Sequence, residues 1–201
     1  TNSIRGIPKL MDANYAGTTK SKDCTIILCE GDSAKAGIVS GLSKEDRNFI
    51  GIYPMKGKLF NVRGETQKKI NENKEIIEIK QILGLESNKE YTSIEEMNKC
   101  LRYGYILFMT DQDLDGIHIT GLGFNLFHSL WSSLIKLNKI GFMNTPILKA
   151  RKNNKELVFY NDAEYENWKK KNDNGKGWKI KYYKGLGTST SKEFKEYFKN
   201  K

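Results

Sequence analysis

The sequence predicts an α/β fold: a parallel sheet flanked by helices, followed by a small α+β appendage. Three observations point there. Short apolar runs rich in β-branched residues alternate with longer stretches of helical periodicity, the order that builds parallel sheets. Two of those runs end in acidic residues that lead into a helix-like segment, and in open α/β sheets ligands collect outside the carboxyl ends of the strands. From Arg151 onward the character changes to charged and aromatic-rich, with hairpin-like and short helical pieces. The expected division is a connector over 1–22, an α/β domain over 23–150 and an appendage over 151–201.

Each element has its own signal. The first 22 residues are polar and contain Gly6, Pro8 and Gly17, which read as a connector. Thr25 to Cys29 is a β-branched run, followed by an acidic turn and a helix through Ser40. A second strand is expected over Phe49 to Tyr53. Glu65 to Leu83 places Ile70, Ile76, Ile77, Ile79 and Ile82 among many charges, as an amphipathic helix with a core-facing stripe does. Ser93 followed by Glu96 is a capping-box signal for a helix through Leu101. Strands are expected over Ile106 to Thr110 and Phe142 to Leu148. Between them Ile117 to Leu137 reads as a long helix packing Phe124, Phe127, Leu130, Trp131 and Leu134 on the sheet. In the appendage Asn153 and Asn154 mark a turn between two strands, Asp162 opens a helix through Lys171, and Asp173 to Gly175 is a loop. Trp178 to Tyr183 is strand-like. Gly185 and Gly187 then permit a tight turn ahead of a helix cap at Thr190 and Glu193.

The chemistry concentrates where Tyr105 to Thr110 gives way to Asp111, Asp113 and Asp115. On an extended chain the two-residue period puts all three carboxylates on one side, where like charges raise one another's pKa unless a cation compensates. Mg²⁺ is the natural compensator, since it needs only one or two carboxylates and completes its shell with water and phosphate oxygens. A calcium loop is excluded: counting from Asp111, its twelfth position is Leu122, where that loop requires a bidentate Glu. Three aspartates could merely open a helix, whose N-terminus favours negative charge. The second acidic motif, Glu30-Gly31-Asp32-Ser33-Ala34-Lys35 after Thr25 to Cys29, argues against that. Two strand ends can converge, and four carboxylates could hold one or two Mg²⁺ around a phosphodiester.

At this point the residues become recognisable. Glu30-Gly31-Asp32-Ser33-Ala34 with Asp111-Gln112-Asp113-Leu114-Asp115-Gly116-Ile117-His118-Ile119 resembles the Toprim domain of type IIA DNA topoisomerases, a Rossmann-like parallel sheet. The segment from Pro54 through Lys56, Gly57 and Lys58 to Arg63 resembles that family's Pro-Leu-(Arg/Lys)-Gly-Lys stretch. Tyr182 to Glu193 is similar to the eukaryotic form rather than to bacterial gyrase. Departures are Ile117 for the usual Ser, Leu114 for Gln, and Met55-Lys56 for Leu-Arg; none removes a carboxylate.

The resemblance implies an ATP-dependent type II topoisomerase that breaks both DNA strands transiently, passes a duplex through and rejoins them. It implies Glu30, Asp111 and Asp113 as catalytic carboxylates and metal ligands, with Asp115 a ligand directly or through water. ATP would be bound by an upstream ATPase and transducer, not by this chain. A homodimer is implied, in which a Tyr of the partner subunit, from a winged-helix domain, attacks the phosphorus. Tyr182 and Tyr183 are therefore not expected as nucleophiles. A Toprim-type nuclease or primase is the alternative enzyme, but it does not account for Lys56-Gly57-Lys58 or for Tyr183 to Gly187; a nucleotide-binding or receiver module is the non-catalytic alternative, and a receiver wants one phosphorylatable Asp and a switch Lys rather than four carboxylates.

Thirty-four Lys and Arg against twenty-four Asp and Glu leave a net charge of +10, which suits a polyanionic partner such as double-stranded DNA. Charge alone is a weak signal, since Lys169, Lys170 and Lys171 read as a solvated helix face. The DNA-facing candidates are those tied to motifs: Lys35, Lys56, Lys58 and Arg63, with His118 inside the metal motif; His128 is expected to carry no chemistry. No run approaches the roughly 18 apolar residues of a membrane helix, and no signal peptide is visible. The expected location is intracellular: nuclear in a eukaryote, otherwise the compartment of DNA replication. Cys24, Cys29 and Cys100 are odd in number and lack paired metal-ligand spacing; with two of them in an expected buried strand, they read as reduced core residues.

Overall fold

A computed structural model of the chain describes residues 4–56, 61–110, 114–144, 146–160 and 162–182. Four parallel strands form the main sheet in the order β2-β1-β3-β4: β1 Thr25–Glu30, β2 Ile50–Met55, β3 Tyr105–Thr110 and β4 Ile140–Asn144. Strand β1 is central, and its side chains divide by parity as the two-residue period requires. Ile26 and Leu28 face one core, and Ile27 and Cys29 face the other. The second core is covered by helix α1, Gly31–Gly41, through Ala34 and Ile38. After the short helix α2, Asp46–Phe49, and strand β2, the opposite face is covered by α3 Gln67–Glu72, α4 Lys74–Leu83, α5 Ile94–Cys100, α6 Leu114–Leu130 and α7 Ser132–Lys136.

A second, antiparallel sheet follows in the order β6-β5-β7: β5 Leu148–Lys152, β6 Lys155–Phe159 and β7 Lys179–Tyr182. Helix α8, Asp162–Lys171, packs Tyr165 and Trp168 against Phe159. The turn joining β5 to β6 falls at Asn153, which holds a φ of 54°. The α/β class and its appendage are as the sequence predicts.

Several boundaries differ from expectation, each for a local reason. The run Phe142 to Leu148 is not one strand: β4 ends the parallel sheet at Asn144 and Leu148 opens the antiparallel one. Pro146 lies between them and has no N–H for a ladder. The change of sheet thus precedes the expected change at 151. Glu65 to Leu83 is two helices, because Asn73 leaves the helical conformation and its side chain accepts the Ile76 N–H at 3.1 Å. Ile70, Ile76, Ile79 and Ile82 are buried as expected, whereas Ile77 is 38% exposed. The long helix is broken at Trp131, whose indole N–H donates to the Glu86 carbonyl at 2.9 Å. Phe124, expected in the core, is instead exposed and stacks on His128.

Residues 4–24 contain little regular structure but are docked. Met11 and Ile52 exchange backbone hydrogen bonds of 2.9 and 2.8 Å, and Ile7, Ala13 and Ala16 are buried. Asp12 accepts from Arg102 and from the Tyr103 hydroxyl at 2.5 Å. That hydroxyl lies 2.2 Å from where a Cβ on Gly51 would stand, so only glycine lets Tyr103 cross β2 there.

Cys24 and Cys29 are buried as expected, and burial pushes the Cys24 thiol up to about 11; Cys100, expected in the core, is instead exposed at the last position of α5. A maleimide added to the native protein is therefore expected to label Cys100 quickly and the other two only on denaturation. Mass spectrometry of the labelled peptides checks this, and rapid native labelling of Cys24 would contradict the packing.

Candidate metal and nucleic-acid site

The site is set by strand order. Helix α1 leaves β1 toward β2, while α6 follows β3 toward β4, so the connections diverge between β1 and β3. Such a switch point opens a crevice at the carboxyl ends of the two strands. The register aligns those ends: Cys29 faces Met109 on β3, and Glu30 faces Met55 on β2. Glu30 is the last residue of β1 and partly exposed, and the acidic run begins one residue after Thr110 closes β3.

Glu30 has no loop beneath it. Gly31 starts α1 at a φ of +78°, a conformation L side chains rarely adopt, and nothing within 4 Å would touch a Cβ. The glycine is required by the backbone, not by crowding. It makes the tight exit that leaves Glu30 at the carboxyl end of the central strand. At the end of β3 the Thr110 and Thr120 hydroxyls lie 3.2 Å apart, tying β3 to α6.

The other expected site residues are placed as follows. Lys35 is half-buried and donates to the Lys9 carbonyl at 2.6 Å, while Lys9 Nζ lies 3.7 Å from Asp32. The docked N-terminal segment thus runs beside the turn that carries Glu30. Lys56 is exposed and follows the last residue of β2; its backbone N–H donates to the Glu75 carboxylate on α4. Arg63 is exposed in a loop organised by Asn61, whose side chain accepts from the Arg63 N–H at 3.1 Å and from Asn125 of α6 at 3.3 Å. His118 is exposed on α6. Lys58, Asp111 and Asp113 lie outside the described residues, as do Tyr183, Gly185, Gly187, Thr190 and Glu193; Asp115 falls in the first turn of α6. Among the described residues no three His, Cys, Asp or Glu side chains are grouped to hold a metal ion. Tyr182 stands on β7 of the second sheet, paired with Leu148, with its ring against Tyr165 at 6.3 Å.

Two groups beside the site escaped sequence reasoning. Glu75 and Glu78 share one face of α4, where Glu78 accepts from the Tyr53 hydroxyl of β2. Burial raises the Glu75 carboxyl above its usual range, and Glu78 adds to that, against the Lys56 N–H. Their spacing was readable, but the strand they meet is set only by tertiary packing.

A parallel sheet with acidic residues at its switch point defines a class, and comparison with known proteins identifies it. Residues 25–144 match the Toprim domain and residues 143–201 match the C-terminal associated domain of TOPRIM. The chain belongs to the Toprim family. It is 53% identical over 199 residues to DNA topoisomerase 2-alpha of Rattus norvegicus, covering 99% of this chain and 13% of that protein. It is 54% identical over 197 residues to DNA topoisomerase 2-beta of Homo sapiens, covering 98% and 12%. The topoisomerase II DNA-binding, cleavage and re-ligation domain of Plasmodium falciparum superimposes with a TM-score of 0.88 at 50% identity, covering all of this chain and 27% of that one. The chain thus spans a small part of its relatives, and the expected resemblance to type II topoisomerases of the eukaryotic form holds along its whole length.

Proposed function

We propose that this chain is the metal-binding half of the DNA cleavage and rejoining centre of an ATP-dependent type II DNA topoisomerase. The observation that carries the reading is that Glu30 directly follows the last β1–β3 pair, Cys29 and Met109, at a topological switch point, while Asp111 follows directly on the end of β3 at Thr110. The donor set fits Mg²⁺: Glu30, Asp111, Asp113 and Asp115 are hard oxygen donors, and the buried Cys29 thiol is directed instead at the Tyr53 carbonyl, 3.9 Å away. Held by these carboxylates, one or two Mg²⁺ would supply charge stabilisation at the leaving 3′ oxygen and at a neighbouring phosphate.

The chain's own residues do the rest of the work. The Glu30 backbone is fixed by the sheet and by the Gly31 turn, which holds the start of its side chain at the carboxyl end of β1. Lys35, Lys56, Lys58, Arg63 and His118 meet backbone phosphates in this reading, which the exposure of Lys56, Arg63 and His118 supports. Such contacts give affinity and orientation without sequence choice. The attacking Tyr belongs to the partner subunit of a homodimer, and ATP binds elsewhere in the full-length protein. Among the described residues no helix is long and apolar enough to cross a membrane, and nuclear DNA is the substrate this reading implies.

Asp113→Asn in the full-length protein tests the assignment. It removes one charge from the ligand set, so most Mg²⁺ binding and most DNA cleavage should be lost, measured by titration and by detergent trapping of the DNA adduct. Asp32→Asn, beside the turn, should be milder. Unchanged cleavage of the Asp113 variant at low Mg²⁺ would refute the metal role.

A further inference from the structure

We propose that Glu75 is a positioning residue for the basic segment after β2: its carboxylate holds the Lys56 backbone N–H and so sets where the Lys56 side chain begins. This rests on the reading that the segment meets DNA phosphates.

The geometry follows from the sheet. Strand β2 is an edge strand whose ladder with β1 ends at the pair Glu30 and Met55. The Ile52 N–H points away from β1, to the Met11 carbonyl, and by the two-residue period the Lys56 N–H points to that same outer side, where the Glu75 carboxylate accepts it. Glu75 itself is rigidly presented. It lies in the first turn of α4, which is capped by Asn73 and anchored through buried Ile76, Ile79, Ile82 and Leu83. A solvated first-turn glutamate would need no such bond, since the helix N-terminus already favours its charge. Glu75 is instead half-buried in the wall of a small cavity between α4, the end of β2 and the N-terminal segment, beside Pro54, Lys9 and Lys74. The same face of α4 holds β2 a second time, through Glu78 and the Tyr53 hydroxyl, with Lys74 Nζ 3.9 Å from Glu78. Two carboxylates thus clamp the strand on both sides of Pro54, and the basic segment leaves from a fixed point level with Glu30.

The bond runs to the backbone, so Lys56→Ala keeps it, and the two contributions separate. In the full-length protein, Glu75→Ala is expected to speed exchange of the Lys56 amide by about tenfold or more, and Glu75→Gln by less, because a neutral acceptor holds the N–H more weakly. DNA binding should weaken severalfold and its log–log salt slope fall by about 1. In a Lys56→Ala/Lys58→Ala background the same Glu75 substitutions should produce no further loss. Amide exchange in β1 and β3 serves as the folding control. Should Glu75→Ala unfold the protein, Glu75→Gln carries the same comparison. An unchanged Lys56 amide, or an equal loss of DNA affinity in both backgrounds, overturns the positioning role. If instead the double lysine variant itself binds DNA as before, the DNA reading of the segment fails, and this inference with it, on a different arm of the experiment.

Discussion

Glu30→Gln in the full-length protein is expected to lower Mg²⁺-supported DNA cleavage by roughly 10²-fold or more, the scale of losing one preorganised electrostatic group. The substitution keeps the shape of the side chain, and Glu30 is partly exposed at the end of β1, so the sheet and Gly31 should be undisturbed. What changes is the charge at the switch point. With one carboxylate fewer, the variant should need more Mg²⁺ to reach a given level of adduct, which detergent trapping across a Mg²⁺ titration measures. Without divalent cation the sign reverses for stability. Removing one of several like charges from a single sheet edge should leave the melting temperature equal or raised. Wild-type cleavage at low Mg²⁺ would remove Glu30 from the ligand set, and a lowered melting temperature in chelator would mean that its role is structural.

The largest stability loss is expected from Arg102→Ala. Arg102 is 5% exposed, and its guanidinium donates to Asp12 at 2.5 and 3.4 Å and to the Ile82 carbonyl at 3.0 Å. One side chain thereby joins the N-terminal segment to the end of α4 and the approach to β3. Truncation strips a mostly buried carboxylate of its cation and leaves a buried carbonyl short of a donor. Breaking such a pair costs about 3 kcal/mol or more. In a domain of this size each kcal/mol corresponds to roughly 2–4 °C, so the melting temperature should fall by about 6–12 °C. Asp12→Asn should cost less, since the amide oxygen still accepts from Tyr103. Calorimetry of both variants checks the order. Equal, small shifts would mean that the N-terminal segment is only loosely attached.

The sequence by itself determined the class of this protein and its chemical inventory. Strand β1 was legible because its four buried residues are apolar on both faces, as a central parallel strand must be. Glu30 and the aspartates were legible because acidic residues directly after such runs have no core-packing reason to be there. The appendage was legible from Asn153 and Asp162, whose local signals act within a few residues. Breaks inside periodic stretches were not legible: Asn73 and Trp131 leave the helix for bonds to Ile76 and Glu86, and hydrophobic period carries no record of them. Nor was the docking of the first 22 residues, since Asp12 meets Arg102 across ninety positions of chain. Tertiary structure alone decided the strand order β2-β1-β3-β4, and with it the switch point beside Glu30 and the grip of Glu75 on Lys56. Local propensity and spacing act over a turn or a strand pair, whereas strand neighbours are chosen by how two helical layers bury both faces of one sheet.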